Sequence, residues 1–238
     1  ARWGAILRAM GHRVPFARRF EIIMGTWPIA SVTPSKAGDV LRARPLRERI
    51  PAVETVGSVL AERVVDVLVL SGVWLLGASV AGMWKMAVLA GCILAGAVAG
   101  LIVLGGDFRG IGRSLLGAKF QGLLTAFRAL GRRPKMLALA VLWSGLNWFL
   151  SVLQVKYLLL ALGGSIGIVE VMASLPPALF VGLLPFTIAG MGTRDAAVVA
   201  LFASYGAPHQ LLGMSLLYTF LGYWLFALVG LAFTRKVL

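Results

Sequence analysis

Two groups of charged side chains stand inside otherwise apolar stretches of this chain. The first is Arg194-Asp195 in LPFTIAGMGTRDA, Leu184 to Ala196, preceded by Pro185, Gly190 and Gly192. The second is VETVGSVLAERVVDVLVL, where Glu54, Ser58, Glu62 and Asp66 recur every four residues and Arg63 sits among them. A guanidinium presents a planar fork of N–H donors that fits a phosphate or a carboxylate. Carboxylates beside it balance its charge or carry a proton. Two readings of each group stand. Arg194 either contacts a ligand or closes a structural ion pair, and Asp195 either joins the site or caps a short helix. The stripe on the long helix is either substrate-facing or a salt-bridge network, with Arg63 able to reach Asp66 one turn on.

These charges matter because of where they lie. The chain has 238 residues, 59% hydrophobic and 13% charged, with a mean hydropathy of +0.90. A soluble domain is near half apolar and about a quarter charged. Met86 to Gly106 carries no charge over roughly 20 residues, enough to cross a hydrocarbon core. The apolar runs are continuous and rich in Leu, Ala and Gly. That suits packed helices, not the alternation a membrane barrel needs. The expected fold is therefore all-α, a polytopic membrane helix bundle forming one domain over residues 1–238. Ionisable residues inside such a bundle are functional candidates by default.

The net charge of +14 gathers at the ends of apolar runs: Arg2 to Arg19, Arg42 to Arg49, Arg109 to Lys135, and Arg235-Lys236. This is positive-inside bias with attraction to anionic headgroups, not a nucleic-acid surface. Within the Arg42 to Arg49 run, Arg42 lies nearest a chain break and is the one set apart for a site. Cys92 is the single cysteine, so no disulfide can form within the chain. His12 and His209 lie at opposite ends, and no metal cluster or Ser-His-Asp set can be built. GGDFRGIGRS lacks the dinucleotide pattern and no strand precedes it. No cofactor, no metal and no enzymatic activity are expected.

The elements that position the charges can be read from periodicity. Trp3, Ile6, Leu7 and Met10 at helical spacing read as an interfacial amphipathic helix or the end of a membrane helix. Phe20 to Thr33 is apolar but short, and Pro34, Gly38 and Pro45 interrupt the stretch after it. Pro51 opens a long helix to about Gly82, and residues 86–105 span. An amphipathic helix with Leu116, Phe120, Leu123, Phe127 and Leu130 on one side occupies part of 107–135. Residues 136–162 span, with Asn147 read as helix–helix glue. Residues 168–205 are interrupted by Pro176-Pro177 and by the quoted stretch, and His209 to Phe233 spans.

If the basic loops face the cytoplasm, residues 20–49 and 168–205 must each enter and leave on one side. They then form two oppositely oriented re-entrant hairpins, with tips at PSKAGD and PFTIAGMGTRD. That is the signature of an inverted repeat with its site at the midplane. The first repeat covers about 16–106, a cytoplasmic linker about 107–135, and the second repeat about 136–238. Symmetry also predicts a spanning helix before residue 20, so an upstream segment is expected. The C-terminus is expected in the cytoplasm and the protein in the inner membrane.

PSKAGDVLRARPL, SVLAERVVDVLVL and LPFTIAGMGTRDAAVVALFASYGA resemble, in that order, the lysylphosphatidylglycerol synthase transmembrane family, also called the flippase-like domain. Its three segments are matched by Pro34, Gly38, Asp39 and Arg42; by Glu62, Arg63 and Asp66; and by Pro185, Gly190 (offset by one), Gly192, Arg194 and Asp195. Asp195 is shorter than the expected Glu. The resemblance covers nearly the whole chain. It implies movement of anionic, cationic or polyprenyl-linked lipids between leaflets.

The expected function is thus a flippase-like lipid transporter. Its partner is a membrane lipid with an anionic headgroup or a polyprenyl phosphate. Arg194, Arg42 and Arg63 would hold the phosphate, while Glu62, Asp66, Asp39 and Asp195 balance charge. Proton coupling and a homo-oligomer are compatible with these residues. The alternatives are the membrane part of an aminoacyl- or glycosyl-transferring system, and a non-transporting scaffold.

Overall fold

The longest helix, α3 (Ala52–Val80), starts directly after Pro51, whose fixed φ and missing N–H suit that position. At 29 residues it is about 43 Å long by rise per residue. In the computed structural model, residues 1–33, 37–105, 121–183, 187 and 190–237 are described. Among them the chain is all-helical: α1 (Arg2–Ala9), α2 (Phe16–Val32), a 3-10 segment (Ala37–Leu46), α3, α4 (Trp84–Gly105), α5 (Gln121–Arg132), α6 (Pro134–Ala161), α7 (Ile168–Gly182), α8 (Thr193–Leu201), α9 (Pro208–Thr219), a π-helical turn (Phe220–Trp224) and α10 (Leu225–Val237). The break residues Pro34 and Pro185, and Leu116 and Phe120 of the amphipathic stretch, lie outside the described residues.

Among the described residues, three segments are long and apolar enough to cross a membrane: Trp84–Val103, Pro134–Ala161 and Pro208–Val237. Many of their large apolar side chains face outward. Val88, Leu142, Phe149 and Leu228 are all exposed, as lipid-facing residues are. The last of these spans contains the π turn, which the apolar run alone did not signal.

The two interrupted stretches fold back on themselves. After α2 the 3-10 segment returns against it, so close that a Cβ on Gly38 would lie 2.8 Å from the Ala30 backbone. After α7, α8 returns in the same way. Gly190 (φ +75°) places its α-carbon where a Cβ would meet the Gly182 carbonyl oxygen at 2.9 Å. Only glycine tolerates both the left-handed backbone and that approach.

The folded-back pairs then exchange partners. α3 crosses α7 at Gly77, whose absent Cβ would lie 2.6 Å from the Met172 backbone. Pro176 and Pro177 in α7 have no N–H, so the carbonyls of Met172 and Ala173 lose their helical donors at this crossing. α10 crosses α2 at Gly230, whose Cβ would lie 2.4 Å from the Met24 carbonyl oxygen. Each long helix thus packs on the short helix that opens the other interrupted stretch. The helices preceding these stretches also end alike: Gly11 follows α1 at φ +94° and Gly163 follows α6 at φ +82°.

One sequence expectation is corrected here. α1 does not lie on the surface as an interfacial helix. Trp3, Ile6 and Leu7 are buried against α3, α2 and the 3-10 segment, and the Trp3 indole N–H donates to Ser58 Oγ at 2.9 Å. An N–H buried with a hydrogen-bond partner marks an interior position.

Candidate functional site

Ser58, Glu62 and Asp66 form the buried stripe that their spacing predicts, because residues four apart share one helical face. Glu54 leaves it. Near the start of α3 it hydrogen-bonds His12 Nε2 at 2.7 Å.

The stripe meets the first fold-back. Asp39, buried on the 3-10 segment, receives Arg42 Nη2 on Oδ1 at 2.8 Å and Arg63 on Oδ2. Arg42 Nη1 reaches Glu62 Oε2 at 2.7 Å, and its guanidinium lies 5.5 Å from the Trp3 ring centroid. Arg2 of α1 donates through Nε to Glu62 Oε1 at 2.9 Å and through Nη1 to Asp66 Oδ1. Asp66 Oδ1 also accepts from Ser144 Oγ at 2.7 Å and Trp148 Nε1 at 3.0 Å, both on α6. The expected Arg63–Asp66 contact is present but long, at 3.7 Å, and the Asp39 contact is much closer. Arg2, Arg42 and Arg63 therefore cancel Asp39, Glu62 and Asp66 in formal charge.

The second fold-back is built from Arg194 and Asp195. Asp195 Oδ2 accepts the Gly192 N–H at 2.9 Å, capping α8, and Oδ1 accepts from Ser215 Oγ of α9 at 2.5 Å. Gly192 occupies the cap at φ +92°. Asp195 therefore caps α8, and its other oxygen faces α9. Arg194 is buried. It bonds the Thr219 hydroxyl, lies 3.4 Å from Asp195 Oδ1, and sits 5.7 Å and 5.6 Å from the Tyr218 and Tyr223 ring centroids. Such aromatic faces attract a guanidinium.

Two cavities open on these charges. The larger, about 570 Å³, is lined by Arg2, Asp39, Arg42 and Glu62. The smaller, about 300 Å³, is lined by Leu179, Phe180, Arg194 and Tyr223. Arg63, Asp66 and Trp148 line both, so they are the partition between them. The Arg63 side chain is 35% exposed, against 4% for Arg42. Among the cluster's cations it is the one most open to the cavities.

Arg42 is buried while Arg44, Arg47 and Arg49 are exposed, which separates it from the rest of that run. Asn147 differs from expectation. It is exposed and lines the larger cavity instead of joining helices. Sequence reasoning missed Arg2, Ser144, Ser215, Thr219, Tyr218 and Tyr223 as members of the site. Ser215 and Thr219 carried a signal, a pair of hydroxyls four residues apart on an apolar span. Arg2 carried none beyond belonging to a basic flank.

Among the described residues the chain is an all-helical bundle with several segments able to span a membrane and a charged, cavity-lined interior, which defines a multi-pass membrane protein. The chain belongs to the family described as the lysylphosphatidylglycerol synthase TM region, whose profile matches residues 1–230. Membership ties it to membrane-lipid handling. Comparisons with curated proteins and with solved structures returned no match.

Proposed function

We propose that this protein moves a lipid headgroup between leaflets, passing it from one cavity to the other across Arg63, Asp66 and Trp148. The observation that carries this reading is the shared partition. Two cavities abut at an ion pair longer than its neighbours, and arginines wait on both sides of it, Arg42 in one and Arg194 in the other. A headgroup phosphate would replace Asp39 or Asp66 as the partner of Arg63, since a guanidinium binds either anion through the same donors. The freed carboxylate could take a proton, which would couple transport to protons. The acyl or polyprenyl chains would stay in the bilayer. Chemistry on the lipid is not part of this reading; the protein acts as a transporter and not as an enzyme.

The two fold-backs are read as re-entrant hairpins of opposite orientation, and the halves as an inverted repeat. The reciprocal crossings support this. Gly77 of the first half meets Met172 of the second, and Gly230 of the second meets Met24 of the first. A two-fold axis generates contacts in such reciprocal pairs. The C-terminus and the basic ends of α1, α5 and α10 are assigned to the cytoplasm of an inner membrane by the positive-inside rule.

Translocation of fluorescent phosphatidylglycerol in proteoliposomes, read by dithionite quenching, tests the proposal. Arg63→Gln and Arg194→Gln are each expected to slow it about tenfold or more. Unchanged rates in folded variants would overturn it. The ion-pairing of each arginine in the cluster favours one competing reading, a purely structural network. In that case exchanging Arg63 and Asp39 for each other should restore whatever either single change removes.

A further inference from the structure

Away from the central network, a further hollow of about 580 Å³ lies where the end of α1 meets the start of α6. Arg8, Arg13, Arg133 and Lys135 line it, and no carboxylate among the described residues does. Arg133 is held in place by donating through Nη1 to the Arg8 carbonyl at 2.7 Å. Gly11 turns the chain out of α1 with φ +94°, and no described atom lies within 4 Å of where its Cβ would be, so the mouth is open. The adjoining hollow, lined by Arg13, Arg18 and Arg49, has Glu48 as its one acidic wall residue among those described. Two acids on the neighbouring helices α3 and α2 are engaged: Glu54 with His12 and Glu21 with Arg18.

Four cations facing one cavity without a carboxylate among them repel one another, and the missing counter-charge is an anion. Pro134 opens a segment long and apolar enough to span the membrane, which sets the hollow at the boundary between water and hydrocarbon. Headgroup phosphates lie at that depth. Arg2 and Arg8 stand six residues apart on α1, about 9 Å by helical rise, so the hollow opens one short helix away from the central cluster. We propose that this hollow is a binding site for a phosphate group at the membrane rim, separate from the Arg63 partition and independent of whether that partition transports lipid. The phosphate comes from an anionic lipid headgroup or from a phosphorylated solute. Both present the same oxygens to the same donors.

Retention by the full chain is the test. In nanodiscs of phosphatidylcholine with a minor fraction of phosphatidylglycerol, native mass spectrometry should show phosphatidylglycerol held by the wild-type protein. The triple variant Arg8→Gln, Arg13→Gln, Lys135→Gln should hold it about tenfold less. A control with equal charge loss at exposed positions outside the hollow, Arg44→Gln, Arg47→Gln, Lys236→Gln, should retain it. Should the triple variant not fold, Arg13→Gln alone is expected to weaken retention about threefold. Titration with inorganic pyrophosphate in phosphatidylcholine nanodiscs, without and then with phosphatidylglycerol, separates the sources. Binding that phosphatidylglycerol does not displace identifies a solute site, and displacement identifies a headgroup site. Equal losses in the two triple variants, or no loss in the hollow variant and no pyrophosphate binding, would overturn the proposal whatever the transport assay shows.

Discussion

Arg63 of α3 bonds Asp39 of the 3-10 segment, 24 residues back in the chain, more closely than it approaches Asp66 one turn along its own helix. This contact ties the first fold-back to the wall between the two cavities. It also gives Asp39 two guanidinium partners, one on each oxygen, so the arginines of the cluster differ in what their loss would do.

Arg42 ties the 3-10 segment to α3. It is 4% exposed and bridges Asp39 to Glu62. Arg42→Ala would leave those two buried carboxylates short of a partner, at an expected cost of about 3–5 kcal/mol. A large drop in the thermal midpoint in detergent is the expected result; a drop under a degree would show that the bridge is dispensable.

Arg63→Gln should behave differently. Asp39 keeps Arg42 and Asp66 keeps Arg2, Ser144 and Trp148. The expected stability loss is about 1–2 kcal/mol, with a much larger proportional loss of lipid translocation. Equal losses of stability and translocation for the Arg42 and Arg63 variants would count against a transport role for Arg63.

The turn at Gly190 is a steric requirement. A methyl group there meets the Gly182 carbonyl oxygen and forces a β-carbon onto a left-handed backbone. Gly190→Ala is expected to cost about 1–3 kcal/mol and to displace Arg194. Gly222, with open space around its absent Cβ, is the comparison. Gly222→Ala should leave the melting temperature within about two degrees.

Orientation is checked by labelling in a Cys92→Ala background. Arg13 and Ser165 are exposed and follow the matched turns at Gly11 and Gly163. An inverted repeat requires an impermeant maleimide to reach Arg13→Cys from the cytoplasm and Ser165→Cys from the opposite side. Reaction of both from one side would end the inverted-repeat reading while leaving the charged cluster untouched.

Much of the helical plan was legible because the bilayer imposes strict chemistry on sequence. Apolar runs of spanning length, Pro51 ahead of the long helix, and glycines at the breaks each report a local constraint, and the four-residue spacing of Ser58, Glu62 and Asp66 reports a single helical face. The partners of those residues were not legible. Arg2 looked like one more basic residue in a flank, yet it closes the cluster by reaching Glu62 and Asp66. Trp148 and Ser144 looked like residues of an ordinary span, yet both bond Asp66.

Read alone, the sequence establishes that the chain is a helical membrane protein and where its helices are interrupted. Each of these comes from solvation or from backbone sterics acting over a few neighbouring residues. Tertiary packing selects which arginine meets which carboxylate, makes Arg63, Asp66 and Trp148 the partition between two cavities, and brings four cations together at the rim. Those pairings join residues up to 142 apart, such as Arg2 and Ser144. They exist only once glycine-mediated helix crossings bring the elements into contact.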